Sequence, residues 1–403
     1  MSFLNSRKAI CIGISSLFGI IMIFYYWYIL LVLCIPTDIQ YHVEYVANNI
    51  CIQRQLMPAH PGFYSVVWLL SGFTCNYNVI IRMAIILIGF FWGMTVYMST
   101  YVGEHMISNE SIKKKPTNDN YRYTIFVIAA LISCLIYPIP LFKYYFFVGL
   151  LPPNVYSNST WICGLPFSIT IFGLGIRQIE AKVKSIRIEI IISILLIVSA
   201  LFKPSFAFVF IPAYILLRAL HSNWRQWGAL FVPLSIALIP TLLLIAGQTA
   251  WIIANPQTLL GGKTHFALAF PAGWKYTLPN LPARHVILRF LCSFALPIFT
   301  YVVYPKWLKL VSHQFAILCT IIGFLIFMLV HEVGVRALHA NFIWQVIYAN
   351  HLLYWVIIIT SLEWDLKLKN DYLRRLSILL IIGLHLVSGI VYLAAIVVRK
   401  TYY

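Results

Sequence analysis

The stretch AICIGISSLFGIIMIFYYWYILLVLCI, from Ala9 to Ile35, decides the fold. It contains no Asp, Glu, Lys or Arg, and it exceeds the about 20 apolar residues that a helix needs to cross a bilayer. Arg7 and Lys8 precede it, and no small-residue cleavage site follows it. We therefore interpret the stretch as a first transmembrane helix with a basic flank rather than as a signal peptide.

The composition of the whole chain is typical of a membrane protein. The chain has 403 residues, of which 61% are hydrophobic and 10% charged, and its mean hydropathy is +0.86. A soluble core of this size would need far more charged surface. The net charge of +18 fits Lys and Arg in cytoplasmic loops, and no nucleic-acid-binding motif accompanies it. The sequence predicts an all-α polytopic protein, with residues 1–403 forming a single integral membrane domain.

Apolar stretches recur along the chain and predict about eleven transmembrane helices. They lie near residues 9–35, 79–102, 123–141, 164–178, 188–202, 205–218, 227–253, 286–304, 314–330, 346–362 and 377–397. The first outer loop, 36–78, is expected to contain interfacial helices. The segment LFKPSF, Leu201 to Phe206, separates two short spans and forms either a tight hairpin or a broken helix pair.

The charges orient the chain in the membrane. With the N-terminus inside, most of the 29 Lys and Arg residues fall in inner loops, as the positive-inside rule requires. Of the 11 acidic residues, Asp38, Glu44 and Glu332 fall on the outer side. The other acids, including Glu189, are expected to be solvated charges of the inner loops. Carboxylate chemistry outside the membrane therefore has three candidate residues.

The outer loop 36–78 holds the candidate catalytic residues. In a helix that begins near Asp38, the carboxylate of Asp38 and the imidazole of His42 lie one turn apart on the same face. Pro61 disfavours a helical conformation at His60. The segment HPGFY, His60 to Tyr64, is therefore expected to form a turn that brings His60 to the membrane surface. We predict Asp38, His42 and His60 as the catalytic residues.

A second outer loop carries polar and aromatic residues without charge. The segment LLPPNVYSNSTWICGLPF, Leu150 to Phe167, is rich in Pro and Asn. Its side chains Tyr156, Asn158 and Trp161 suit the hydroxyl groups and faces of a sugar, although an ordinary turn-rich connector has the same composition. The 8 cysteines show no metal-ligand spacing. Those that fall in loops leave a disulfide open, and they are Cys51, Cys75 and Cys163.

Basic residues on the outer side are candidates for binding a phosphate. Lys203 lies in apolar sequence, where an ammonium is costly unless it finds an anion or reaches the interface. The outer loops 254–285 and 331–345 add further basic groups. In the second loop Glu332 and Arg336 also have the i, i+4 spacing of a simple ion pair. The candidate phosphate- or substrate-binding residues in these two loops are Lys263, Arg284, Glu332, Arg336 and His339.

These motifs together resemble those of the GT-C glycosyltransferases. The matching features are Asp38 soon after the first span, HPGFY about twenty residues later, and FKPSF after a mid-chain helix. PPNVYSNST and HEVGVRALHANFIWQ are similar to loops of bacterial surface-polysaccharide membrane proteins. The resemblance implies transfer of a sugar from a polyprenyl-phosphate-linked donor to a lipid-linked glycan or lipopolysaccharide acceptor. It places this reaction at the outer face of the bacterial cytoplasmic (inner) membrane.

The resemblance also implies roles for individual residues. Asp38 would act as general base on the acceptor hydroxyl. The cations that would stabilise the leaving phosphate are Lys203, Arg336, Lys263 and Arg284. Asp38 has no second acid beside it, unlike many family members, so the resemblance assigns no definite cofactor and leaves the participation of a divalent metal open. Membrane lipids are further partners, and nucleic acid is not.

Two other functions fit parts of the same sequence. An O-antigen or exopolysaccharide polymerase also joins lipid-linked glycans at the outer face, but such enzymes depend on Arg and His in large outer loops. A lipid-linked glycan flippase would carry charges within its spans and internal repeats. The charges of this chain cluster in loops and no repeat is visible, so we favour the transferase.

Overall fold

The computed structural model of the chain describes most of its length. The described residues are 2–55, 57–107, 119–139, 151–181, 185–222, 227–255, 265–271, 283–333, 341–363 and 372–400. Their structure is almost entirely helical. This confirms the predicted helical membrane class in its main feature.

The helices and strands follow one another in this order. They are α1 (Ser2–Trp27), α2 (Asp38–Glu44), α3 (Gly62–Leu70), α4 (Tyr77–Val102), α5 (Asp119–Leu135), α6 (Ser159–Glu180), α7 (Ile186–Phe202), α8 (Ser205–Leu220), α9 (Trp227–Ala254), β1 (His265–Leu268), α10 (Ala283–Ser293), α11 (Ala295–Val303), α12 (Val311–Leu329), β2 (Val330–Val333), α13 (Ile343–Glu363) and α14 (Tyr372–Arg399). Three helices continue as π-helix, over Tyr28–Val32, Tyr45–Ile52 and Gly103–Ile107.

Among the described residues, seven helices are long and apolar enough to cross a membrane by length and composition. They lie at Arg7–Val32, Tyr77–His105, Ser159–Glu180, Phe231–Ala254, Val311–Leu329, Ile343–Glu363 and Tyr372–Arg399, and two shorter apolar helices cover Tyr123–Leu135 and Ser205–Leu220. Helices also occupy the remaining predicted spans. The chain is thus supported as a multi-helix membrane protein, while the count of about eleven crossings stays a prediction.

The α13 helix lies at the centre of the bundle. Nearly all of its side chains are buried, and α12, α5 and α8 pack around it. The α1 and α14 helices instead expose apolar faces, as helices that contact lipid do.

A small two-stranded antiparallel sheet, which the sequence did not predict, interrupts the otherwise helical structure of the described residues. Strand β1 pairs with β2, and His265 lies opposite Val333 while Leu268 lies opposite Val330. Strand β2 follows directly on the last residue of α12. The predicted span 314–330 includes Val330, the first residue of β2, so the apolar pattern does not mark the point at which the helix ends and the strand begins.

The α7 and α8 helices form a tight hairpin, which settles the structure of the LFKPSF segment. Lys203 ends α7 and Pro204 begins α8. At the other end of the pair, Nη1 of Arg218 in α8 lies 2.8 Å from Oε1 of Glu189 in α7. The start of α7 therefore lies beside the end of α8, as it does in a hairpin.

The Glu189–Arg218 pair also corrects the expectation that Glu189 is a solvated loop charge. Both side chains are completely buried. The hydroxyl of Tyr214 lies 3.0 Å from each carboxylate oxygen of Glu189 and accepts a hydrogen bond from Arg218 at 2.8 Å. Arg218 also donates to the carbonyl oxygen of Gln178 in α6. Two opposite charges thus join three helices inside the protein, where neither charge would be tolerated alone.

The helices place the predicted loops at two opposite ends of the bundle. We call them the Asp38 end and the Arg218 end. The Asp38 end contains Asp38, Asn158 and Lys203, which are joined by hydrogen bonds. The Arg218 end contains the Glu189–Arg218 pair. There His221, just after α8, lies 3.1 Å from Gln314 in the first turn of α12. Segments predicted to lie on the same side of the membrane therefore meet in space.

The buried ion pair predicts a specific stability effect. Arg218→Met should lower the free energy of unfolding by about 3–5 kcal/mol, because it leaves the Glu189 carboxylate buried without its cation. Thermal unfolding in detergent measures the change. The double variant Glu189→Gln/Arg218→Met should recover most of the loss, and Arg177→Met, at an exposed position, should have little effect. A single variant as stable as the unmodified protein would contradict this role.

Candidate active site

The α2 helix presents Asp38 and His42 at one end of the bundle. Its first turn is fixed by a capping box, in which Oγ1 of Thr37 accepts hydrogen bonds from the backbone of Ile39 and Gln40. Oε1 of Gln40 accepts the backbone N–H of Thr37 in return at 3.2 Å. Because the cap fixes where α2 begins, Asp38 lies in the first turn, where the helix dipole favours a carboxylate.

A single amide connects the carboxylate to the ammonium. Nδ2 of Asn158 donates to Oδ2 of Asp38 at 2.8 Å, and Nζ of Lys203 donates to Oδ1 of Asn158 at 3.3 Å. The sequence predicted all three residues but assigned Asn158 to a sugar. The structure places Asn158 between the two charges, with its side chain buried and only 4% exposed.

Lys203 has further contacts that fix its side chain. Its Nζ donates to Oγ1 of Thr160 at 3.4 Å and lies 3.7 Å from the ring centroid of Trp344. A cation over an indole face is stabilised by the ring's electron density. Trp344, in the first turn of α13, is a site residue that the sequence analysis missed, since one of 12 tryptophans carries no signal of its partner.

His42 is enclosed by side chains of α3. Its ring packs against Phe63 and Tyr64, with centroid distances of 5.7 and 5.2 Å, and its Nδ1 lies 2.7 Å from Oγ of Ser159. Burial lowers the pKa of His42 to about 4; Asp38 opposes this effect and Lys203 adds to it. His42 is therefore neutral at physiological pH, although an unperturbed histidine titrates near pH 6.5.

The HPGFY segment lines the site, but only part of it is the predicted turn: His60 and Pro61 precede the helix, and Gly62, Phe63 and Tyr64 form the first turn of α3. Phe63 and Tyr64 supply the rings around His42, while His60 is half-buried just before Pro61. The backbone of Gly62 lies directly against the end of α7. A methyl group on Gly62 would lie 2.9 Å from the carbonyl carbon and oxygen of Leu201. Only a residue without Cβ allows this approach, which brings HPGFY beside the Lys203 turn.

A disulfide closes the loop that contains this segment. Cys51, near the end of the π-helix that follows α2, is bonded to Cys75, just before α4. The sequence had left this pairing open among three loop cysteines, and the third, Cys163, is a free buried thiol. The disulfide ties both ends of the HPGFY segment to the bundle and limits its movement relative to Asp38.

Tyr156 and Trp161 have no surface to offer a sugar. Both side chains are completely buried. The Tyr156 hydroxyl donates to the carbonyl oxygen of Cys134 at 2.8 Å, and its ring stacks on Trp92. Trp161 packs against Trp92, Tyr348 and His351. We therefore assign both residues to the packing beneath the site instead of to sugar contact.

Glu332 lies in β2, and its side chain is also buried. Its Oε2 accepts a hydrogen bond from Nδ2 of Asn341, just before α13. Phe342, the residue after Asn341, packs against Phe266 of β1 at a centroid distance of 5.8 Å. These contacts fix the start of α13, where Trp344 lies, so Glu332 supports the position of Trp344.

The remaining predicted site residues lie outside the part that the structure describes in full. Lys263, Arg336 and His339 fall outside the described residues, and Arg284 is described by its backbone in α10 alone. Within the described part, no group of three or more His, Cys, Asp or Glu side chains could hold a metal ion. The described residues therefore do not test whether a divalent metal takes part.

Comparison of the chain with known proteins found no match. No protein family, no curated protein and no solved structure matches the chain. The site must therefore be interpreted from its own residues.

The close approach at Gly62 predicts a steric effect. Gly62→Ala should lower the free energy of unfolding by about 1–3 kcal/mol, because its methyl group would overlap the Leu201 backbone. Thermal unfolding in detergent measures it. Gly383→Ala in α14 is the matched control, since no atom lies within 4 Å of the position of its Cβ. Equal stability of the two variants would show that the Gly62 contact is not needed.

The low pKa of His42 predicts a pH dependence of stability. Between about pH 6.5 and pH 4, the unfolded chain binds a proton at His42 that the folded protein does not, so stability should fall as the pH falls through this window. His42→Gln should reduce this dependence, as measured by melting temperature against pH. His221→Gln, at an exposed position, should leave it unchanged. An identical profile for His42→Gln would refute the burial of a neutral imidazole.

Proposed function

We propose that this chain transfers a sugar from a polyprenyl-phosphate-linked donor to a lipid-linked glycan or lipopolysaccharide acceptor at the outer face of a bacterial cytoplasmic membrane. The observation that carries the proposal is the hydrogen-bonded group Asp38–Asn158–Lys203. It brings together a carboxylate, an amide and an ammonium from three distant segments, at one end of a bundle of apolar helices. A base and a cation at a membrane surface are what transfer from a lipid phosphate requires.

Asp38 is the general base of this mechanism. Asn158 engages its Oδ2, while its Oδ1 accepts no hydrogen bond from any other described residue. The side chain is half-buried, so Oδ1 can accept the proton of an acceptor hydroxyl that approaches from solvent. The Asn158 bond fixes the orientation of the carboxylate before the acceptor arrives, which reduces the cost of alignment.

Lys203 stabilises the leaving phosphate. When the bond between the sugar and the phosphate breaks, negative charge grows on the phosphate oxygen, and a fixed cation lowers the energy of that state. Thr160, Asn158 and Trp344 hold the ammonium in place. The hairpin of α7 and α8 carries Lys203 at its tip, and the Glu189–Arg218 pair makes the far end of this hairpin rigid.

His42 acts as a neutral neighbour of Asp38 instead of a second base. Its pKa of about 4 leaves it too weak a base to compete for the acceptor proton near neutral pH. Its bond with Ser159 connects α2 to the first residue of α6, beside Asn158. His42 therefore positions Asp38 relative to Asn158.

The disulfide supports an extracytoplasmic location for the site. Cys51 and Cys75 both lie at the Asp38 end, and disulfides persist in oxidising compartments such as the bacterial periplasm. The positive-inside rule independently placed the same loop outside.

The base assignment predicts a large loss of activity. Asp38→Asn should reduce transfer of labelled sugar from a polyprenyl-phosphate donor by about 10²–10⁴-fold, because the amide cannot accept the hydroxyl proton. The assay uses membrane vesicles that contain the full chain, with equal amounts of inserted protein confirmed by blotting. Glu44→Gln is the matched control, since Glu44 is an exposed acid of the same helix and should retain activity.

The same assay separates the proposal from its alternatives. Full transfer by Asp38→Asn would eliminate Asp38 as the base. A loss of polymer length in Arg336→Ala and Arg284→Ala, with Asp38→Asn unaffected, would instead indicate a polymerase. Transport of a lipid-linked glycan across the vesicle membrane by the unmodified protein, without any sugar transfer, would indicate a flippase.

A further inference from the structure

Strand β1 and the residue pair that follows it present a row of exposed apolar side chains. Phe266, Leu268 and Phe270 alternate along the chain with the half-buried Ala267 and Ala269. Successive residues of an extended chain point to opposite faces, so the three large side chains share one face. We call them the β1 row. Leu268 is 82% exposed and Phe270 is 74% exposed, so most of this row is not covered by the chain itself.

The β1 row lies at the level of the lipid headgroups. The α12 helix begins at the Arg218 end, where Gln314 contacts His221, and its 19 residues are about as many as a bilayer crossing needs. Strand β2 follows at once, so the sheet lies beside the outer surface of the membrane, at the Asp38 end. Each of its two strands has an edge without a partner strand among the described residues, and such edges are not tolerated in hydrocarbon.

Large apolar side chains at this level need an apolar cover. Leaving Leu268 and Phe270 in contact with water and polar headgroups is unfavourable in proportion to their exposed area. The bilayer hydrocarbon does not supply the cover without also taking in the edges of the sheet. A molecule with an apolar chain that rises to the headgroup level would supply it.

The row is connected to the cation of the proposed site. Phe342 packs against Phe266 at a centroid distance of 5.8 Å, and Trp344, two residues further on, lies 3.7 Å from Nζ of Lys203. Glu332 lies directly opposite Phe266 in the sheet, and its bond with Asn341 fixes the start of α13 against this face. The covered end of the row therefore lies on the side of Lys203, and its exposed part leads away from that cation.

We propose that the β1 row binds the isoprenoid chain of a polyprenyl phosphate whose phosphate group lies at Lys203. The inference rests on the function proposed above and assigns a separate surface to the lipid part of the donor. A chain attached to a phosphate at Lys203 starts at the headgroup level, where the row offers it an apolar path past Trp344 and Phe342. The acyl chains of an ordinary phospholipid lie below its headgroup instead. Because the exposed part of the row lies beyond these two rings, it favours a long isoprenoid chain over a short one.

The test measures binding by the full chain in detergent, with native mass spectrometry and melting temperature as readouts. The probes are undecaprenyl phosphate, farnesyl phosphate and phosphatidylglycerol. The unmodified protein should bind undecaprenyl phosphate most tightly. Leu268→Ser/Phe270→Ser should weaken that binding about tenfold or more and leave the weaker binding of farnesyl phosphate unchanged, since only the long chain reaches both positions.

Two further variants give the comparison its controls. Leu373→Ser/Val398→Ser replaces two side chains of α14 that are 76% and 80% exposed, and it should bind all three probes normally. Lys203→Gln should weaken the binding of both isoprenoid phosphates by a similar factor, because it acts on the phosphate that they share.

Other outcomes would overturn the proposal. Normal binding of undecaprenyl phosphate by Leu268→Ser/Phe270→Ser would leave the row to bulk lipid, or to a second copy of the chain if native mass spectrometry shows a dimer that this variant loses. An equal loss for both chain lengths would show a general disturbance rather than a contact with the chain. A preference of the unmodified protein for phosphatidylglycerol would show that an ordinary lipid covers the row.

Failure of this inference is distinguishable from failure of the proposed function. Chain-length-dependent binding through the β1 row without any sugar transfer in the vesicle assay would uphold the lipid site and remove the transferase. Sugar transfer with normal binding of undecaprenyl phosphate by Leu268→Ser/Phe270→Ser would uphold the transferase and remove the lipid site.

Discussion

The hydrogen bonds of Asn158 are the constraint on which the arrangement of the Asp38 end depends. Its Oδ1 accepts the backbone N–H of Trp161 and the hydroxyl of Thr160, each at 2.9 Å, as well as the Lys203 ammonium. Its Nδ2 donates to Asp38. An amide alone among the usual helix-capping side chains can accept at one atom and donate at another in this way. The same residue therefore begins α6 and fixes the geometry between the Asp38 carboxylate and the Lys203 ammonium.

The segment before Asn158 must satisfy its own polar groups because it is buried among helices. Nδ2 of Asn154 donates to the carbonyl oxygens of Ser133 and Ile136, and Nδ1 of His351 donates to the carbonyl oxygen of Pro153. Irregular backbone at membrane depth is tolerated only where such partners exist. This explains why the segment is rich in Asn and Tyr without being a sugar-binding surface. Carbohydrate recognition and backbone satisfaction require the same side chains, and sequence alone does not distinguish them.

The parts of the fold that the sequence predicted follow from strong, local energy terms. Long apolar runs predict helices because an unsatisfied backbone is costly in lipid. Asp38 and Lys203 were predicted as site residues because isolated charges near apolar sequence are costly and are expected to have a functional partner. The role of Trp344 depends on a contact between residues 203 and 344, and no local pattern encodes that pairing. The same is true of Glu189 and Arg218, which each have the sequence surroundings of a loop charge.

The Glu189–Arg218 pair and the Asp38–Asn158–Lys203 group differ in burial and in how directly their charges contact each other. Glu189 and Arg218 contact each other directly at 2.8 Å, with both side chains completely buried, so neither is accessible to a substrate. Asp38 and Lys203 are half-buried and are connected through the amide of Asn158. A closed ion pair stabilises a fold only when both members are present. A carboxylate and an ammonium that are connected through a neutral amide and are still partly open to solvent keep charges that an approaching ligand can contact. The contrast supports assigning reactivity to the Asp38 end and rigidity to the Arg218 pair.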